Sequence, residues 1–194
     1  MLGFTTAKAR ALADRPGWTA GSGREARALG ERYPAGSRRP FDWHDNVFDL
    51  LLRGPLPGGA DAETFRVGHR YGRGKGSTVR WYTFAAVEFP RELPSVSLDS
   101  TSDPADAQPS AAGAGLVWTQ GTRGPHFAGL RGYADDPRAG AALFTPEVLT
   151  GTRALRIDWR FDGSRACGVV REVMQPQQML TLVDFLAWLG GHVG

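Results

Sequence analysis

From Thr64 to Tyr71 the side chains alternate: Phe65, Val67, His69 and Tyr71 on one side, Thr64, Arg66, Gly68 and Arg70 on the other. Period-two patterning of this kind belongs to a β-strand whose two faces meet different surroundings. Gly72-Arg73-Gly74-Lys75-Gly76 supplies glycines free to take positive φ in a turn, and Thr78 to Phe89 then runs back. In this return Val79, Trp81, Thr83, Ala85, Val87 and Phe89 oppose Arg80, Tyr82, Phe84, Ala86 and Glu88. Apolar groups on both faces place the strand inside a sheet.

A second hairpin has the same signature. Leu155, Ile157, Trp159 and Phe161 alternate with Arg156, Asp158 and Arg160, Asp162-Gly163-Ser164 turns, and Ala166 to Met174 returns. Pro176 then opens a helix in which Met179, Leu182, Val183, Leu186 and Leu189 fall at helical spacing, with Phe185 and Trp188 broadening the stripe and Gly190-Gly191 ending it. Asp136-Pro137 and Thr145-Pro146-Glu147 both read as helix starts, a capping side chain before a proline that loses no hydrogen bond, and they predict short or bent helix from Pro137 to about Leu149.

Weaker signals complete the chain. Short N-terminal helices are expected over Thr5–Asp14 and Arg24–Tyr33, with a short strand at Gly17–Ala20 between them. Phe41 to Leu52 fits a buried helix or an irregular strand equally, and Gly54 to Gly59 reads as loop. Strand-like composition returns at Ser95–Leu98, Leu116–Gln120 and Phe127–Tyr133, while 99–115 is rich in Ser, Ala, Asp, Pro and Gly and reads as a mobile loop. The expected fold is α+β: a mainly antiparallel sheet built on two hairpins, short N-terminal helices, a Pro-initiated helix after Asp136, and a C-terminal amphipathic helix packed on the sheet. At 194 residues, 41% hydrophobic and 10% aromatic, one domain over 1–194 is the simplest organisation.

Composition also narrows location and partners. The longest apolar stretch, Met179 to Leu189, is about half of the ~20 residues a membrane span needs, so no membrane insertion is expected. The N-terminus shows no secretion signal, and the single cysteine, Cys167, fits a reducing compartment, so a soluble, cytoplasmic protein is expected. Net charge is +3, but of the 23 basic residues only Lys8 and Lys75 are lysine. Enrichment in Arg, Ala and Gly follows from GC-rich coding as readily as from nucleic-acid binding.

Several pieces of the chain together resemble an uncharacterised family of high-GC bacterial proteins of unknown function. They are Arg15-Pro16-Gly17-Trp18, Gly68 to Arg73 leading into Trp81-Tyr82-Thr83-Phe84, Val87-Glu88-Phe89-Pro90-Arg91-Glu92-Leu93-Pro94, Asp136-Pro137-Arg138-Ala139, Leu143-Phe144-Thr145-Pro146 and the closing helix. Where similar proteins show a Phe-Asn-Arg-x-Phe-like stretch, this chain has His126-Phe127-Ala128-Gly129-Leu130. The resemblance implies the fold and brings no activity, cofactor or catalytic residue.

Candidate chemistry is sparse. Gly72 to Ser77 is similar in outline to a phosphate loop, but Gly76 follows Lys75 where a Ser or Thr is needed, and a strand follows where a helix is needed. Arg66, Arg70, Arg73, Lys75 and Arg80 gather on this hairpin with Tyr71, Trp81 and Tyr82, giving charge for anions and rings for stacking. Arg70, Tyr71, Arg73, Lys75 and Arg80 are the candidate ligand-binding set. The bland alternative is a solvated hairpin with ordinary arginines on its exposed face. Asp42, His44 and Asp45 form the one dense polar group suited to acid–base work, in a hydrolase or transferase reading. His44, His69, His126 and His192 lack local metal spacing, Cys167 lacks an activating neighbour, and Ser22 lacks the nucleophile-elbow pattern. The pairs Asp135/Asp136 and Asp158/Asp162 fit capping and turn placement. The expectation is a non-catalytic binding or scaffold domain with no cofactor, contacting a protein partner or a second copy of itself. A hydrolase or transferase and an anion or nucleic-acid binder through hairpin 66–80 are the alternatives.

Overall fold

The computed structural model of the chain describes residues 11–12, 14–30, 46–71, 77–100, 116–117, 130–134 and 136–193. Its strands are β1 (Thr19–Gly21), β2 (Asn46–Pro55), β3 (Asp61–Tyr71), β4 (Thr78–Glu88), β5 (Val96–Ser100), β6 (Leu116–Val117), β7 (Leu130–Ala134), β8 (Ile157–Asp162) and β9 (Arg165–Val170). Its helices are α1 (Gly23–Gly30), α2 (Pro137–Leu143), α3 (Pro146–Leu155) and α4 (Pro176–Gly191). Among the described residues the strands form one sheet in the order β1-β2-β3-β4-β9-β8-β5-β7-β6, and the pairings are antiparallel. The two expected hairpins, β3–β4 and β8–β9, lie side by side at its centre through the β4–β9 ladder.

Each face of the sheet has its own core. On one face Leu50, Leu52, Ala85, Val87, Leu98, Ile157 and Trp159 meet the helices α2, α3 and α4, whose Leu143, Leu149, Met179, Val183 and Leu186 are fully buried. On the other, α1 lays Ala26 and Leu29 over Leu51, Phe65, Val67, Phe84 and Cys167. Gly168 lets the side chains of β8 and α4 close over the strands: a Cβ there would stand 2.5 Å from Ile157 Cδ1 and 3.3 Å from Leu186 Cδ2 of α4.

The local starts follow sequence chemistry. Asp136 accepts from the Arg138 amide at 2.8 Å and Thr145 from the Val148 amide at 3.3 Å, each before a proline at the helix start. Ser22 and Glu25 close a capping box on α1, the Ser22 amide donating to Glu25 at 2.8 Å and the Glu25 amide to Ser22 Oγ at 3.4 Å.

Several boundaries differ from the sequence reading, among them Gly54 and Pro55, read as loop, which pair with Ala62 and Asp61 and end β2. Phe41–Leu52 resolves toward strand, since β2 begins at Asn46 and carries a bulge at Leu50 (φ 36°), which breaks the period-two pattern. The helix expected to stop near Leu149 continues as α3 through Leu155, because Thr152 points inward and accepts from Trp159 Nε1 at 3.0 Å. Leu155 therefore ends a helix and Ile157 begins β8, after Arg156 takes the left-handed conformation (φ 50°) that turns the chain. The return strand stops at Val170 instead of Met174, because Glu172 to Met174 leave the ladder to cross the sheet. Of the first expected helix, Thr5–Asp14, the described residues are Ala11 and Leu12, both helical, and Asp14, in a turn. The segment 99–115 is described only at Asp99 and Ser100, which end β5.

The Glu88–Leu93 stretch fastens three elements. Glu88 accepts from Ser164 Oγ and Arg165 Nε, the Phe89 amide donates to Ser164 O at 2.8 Å, and the Leu93 amide donates to Gly163 O at 2.9 Å. Arg91 donates to the carbonyls of Gly190 (2.6 Å) and Val193 (3.1 Å), capping the C-terminus of α4 where orphan carbonyls and the helix dipole favour a cation. The Phe89 ring lies directly against Gly190, where an added Cβ would come within 2.1 Å of it. The Arg15–Trp18 stretch works similarly: Arg15 pairs with Asp184 of α4, and Trp18 Nε1 donates to Pro55 O at 2.8 Å.

Two outcomes are expected. Gly190→Ala should lower unfolding stability by about 1–3 kcal/mol through overpacking against Phe89. Urea denaturation of Gly190→Ala, Phe89→Ala and the double variant should show the double costing less than the sum; strict additivity would contradict the contact. Burial pushes the Glu88 carboxyl up, but the bonds from Ser164 and Arg165 and the Arg165 charge outweigh it and hold its pKa below the ordinary 4.5. Its folded value lies below its unfolded value, so its stabilisation is present above pH 4.5 and is lost as pH falls through the folded value. The stability gap between the native chain and Glu88→Gln should accordingly narrow as pH drops below about 4.5, read by thermal unfolding across a pH series.

Candidate functional site

The β3–β4 ladder fixes which side chains of the basic hairpin share a face. Arg70 pairs with Val79 and His69 pairs with Arg80. Directly paired residues lie on one face and successive residues on opposite faces, so Arg70 and Arg80, both exposed, project to opposite sides of the sheet. Tyr71 closes β3 opposite Thr78. Arg73 and Lys75 lie outside the described residues, as do Asp42, His44, Asp45 and His126.

Arg66 does not belong to an exposed basic face. It is 6% exposed, and its Nε and Nη2 both donate to Met174 O, at 3.0 and 2.6 Å, with Nη1 3.5 Å from Asp49. Burial pushes its pKa down and the Asp49 charge partly restores it. Thr83, in the neighbouring position of β4, donates to Glu172 O at 2.8 Å and accepts from the Met174 amide at 3.2 Å. Arg66 and Thr83 are cross-strand partners, so together they hold Glu172 to Met174 across the sheet just before α4 begins.

The next row of side chains on that face, about 7 Å along the strands, is Val47, Gly68 and Trp81, directly paired across β2, β3 and β4. Val79 leans into the gap at Gly68, where a Cβ would meet Val79 Cγ1 at 2.7 Å and Trp81 Cε3 at 3.0 Å. Among the described residues the exposed large apolar side chains are Val47 (37%), Val79 (38%) and Val173 (51%). Val47 and Val79 flank Gly68, and Val173 sits in the crossing segment held one row away. Arg70 stands beside Val79 on the same face with no ion-pair partner among the described residues. Sequence reading had no route to this grouping, since it depends on the strand register and on where Val173 crosses.

On the opposite face lies an open groove of about 420 Å³, lined by Arg53, Glu63, Ala86, Glu88 and Arg165 among others. Its Glu88 and Arg165 are bonded to each other. Cys167 is buried beneath α1, and His192 packs edge-on against Trp188, its Nδ1 2.9 Å from Trp188 O. Asp158 lies 3.9 Å from Arg171. Among the described residues no group of three or more His, Cys, Asp or Glu side chains converges to hold a metal, and no helix is long and apolar enough to cross a membrane.

No family model matches this chain, and no curated protein does. In fold it is similar to a solved structure, the crystal structure of the mycobacterial trehalose monomycolate transport factor A, TtfA, with a TM-score of 0.61 at 9% identity, over 100% of this chain and 98% of that one.

Proposed function

We propose that the chain is a non-catalytic binding or scaffold domain of the cytoplasm that meets a protein partner through the β3–β4 hairpin. The observation that carries this reading is the exposure of Val47 and Val79 beside Gly68 on one face of the sheet, with Val173 exposed in the segment that crosses that face at the Thr83 row. Isolated exposed apolar side chains are ordinary, but a group of them with a charged rim is the usual mark of a contact surface. The fold likeness adds support in kind, since that neighbour is named for transport and not for a reaction.

The anion or nucleic-acid reading through hairpin 66–80 loses part of its basis. Arg66 is engaged with Met174 and Asp49, and Arg70 and Arg80 face opposite ways, so these three do not line one phosphate track. The hydrolase or transferase reading rests on Asp42, His44 and Asp45, which lie outside the described residues.

A photo-crosslinking amino acid placed at Val79 in the living cell tests the proposal, with the same group at exposed Thr150 on α3 as the reference. A discrete protein adduct from position 79 and none from position 150 is the expected result. No adduct at 79, or identical adducts at both positions, would overturn it.

A further inference from the structure

We infer that the face formed by Val47, Gly68, Val79 and Trp81 docks a short acidic, apolar segment of a partner protein; the inference rests on the binding reading above and names the chemistry of the partner. Its apolar part follows from the surface itself. Gly68 lets Val79 and Trp81 close over the strand beside Val47, and an aliphatic or aromatic side chain laid on the exposed Val47 and Val79 removes these groups from water.

Its charge follows from how the neighbouring ions are used. Arg66 is paired with Asp49 at 3.5 Å, and Arg156 with Glu172 at 2.8 Å. Arg70 is left as the exposed charge on this face without a counter-ion among the described residues. The complement of such a surface is an apolar side chain with a carboxylate a few ångströms away, and charge of this kind at a rim sets the choice of partner and its rate of arrival.

Its size follows from the small number of groups offered. Stable association of folded surfaces takes about 800 Å² from each partner, and three exposed valines around one half-buried tryptophan cover far less. A second copy of the chain is disfavoured on a separate ground, because a two-fold contact sets the same patch against itself and would bring Arg70 toward Arg70.

The test uses the full chain, isotopically labelled, and three nonapeptides that alternate leucine with glutamate, lysine or glutamine. The Leu–Glu peptide is expected to shift the backbone amides of Val47, Gly68 and Val79 saturably, with affinity at least about tenfold above the Leu–Lys peptide. Arg70→Glu should abolish or reverse that preference and Arg70→Lys should retain it; Arg70 is exposed, and unchanged spectra elsewhere show that both variants fold. Equal response to all three peptides, no shift at these amides, or a preference untouched by Arg70→Glu would overturn the inference. Shifts that instead grow with protein concentration alone would overturn it in favour of a second copy. A protein adduct at position 79 together with any of these failures leaves the binding reading standing and removes only the acidic partner; no adduct removes the binding reading itself.

Discussion

The guanidinium of Arg66 sets what the rest of the molecule can do. It lies at 6% exposure on the helix-bearing face of β3 and gives two donors to one carbonyl, that of Met174. A charge removed from water to this degree is tolerated only where hydrogen bonds and a counter-ion replace hydration, here Met174 O and Asp49. With Thr83 bonding Glu172 and Met174 from the adjacent strand, the chain leaving β9 is held at one point over the sheet. That point decides where α4 starts. The helix then runs with Met179, Leu182, Val183, Leu186 and Leu189 fully buried, and reaches its far end under Phe89 and Arg91.

The exposed face is the other consequence of the same placement. The crossing segment and α4 cover the sheet from the Arg66–Thr83 row onward, and β9 pairs with β4 only from Thr83 to Glu88. The Val47–Gly68–Trp81 row beyond it receives no such cover from the described residues. A contact surface at this place therefore needs no separate device: it is where the helical layer ends. Arg70 beside it gives the surface a sign.

The elements legible in the sequence were those whose patterning is undisturbed. β3, β4, β8 and α4 keep regular periods, and α2 and α3 carry their caps and prolines in the chain itself. β2 was ambiguous between helix and strand because both faces are covered there, burying Leu50 and Leu52 in one core and Leu51 in the other, and because the bulge at Leu50 sets Asp49 and Leu50 on the same face. The end of β9 was overestimated because Arg171 to Met174 continues a strand-like composition while Arg66 and Thr83, far away in sequence, lift it off the ladder. The basic hairpin read as one cluster because the chain lists its arginines together. Their division between two faces depends on the hairpin register, which the glycine-rich sequence between the strands leaves unspecified. The pieces Arg15–Trp18 and Glu88–Leu93 stood out as motifs, and they act as fasteners: they tie the strand ends at Pro55 and Glu88, which lie in one cross-strand row, to α4 and the residues after it through Asp184, Gly190 and Val193.

Helix α4 depends on the Arg66–Thr83 clasp and not only on its own apolar stripe, and native-state hydrogen exchange measures that dependence directly. In the native chain the amides of Leu180, Val183 and Leu186 should open with the same free energy as those of Phe65 and Phe84, as one cooperative unit. In an Arg66→Met, Thr83→Val variant the α4 amides should open at lower free energy than the strand amides, while Phe65 and Phe84 keep a common value. Equal protection of helix and strands in the variant would contradict the central role given to Arg66.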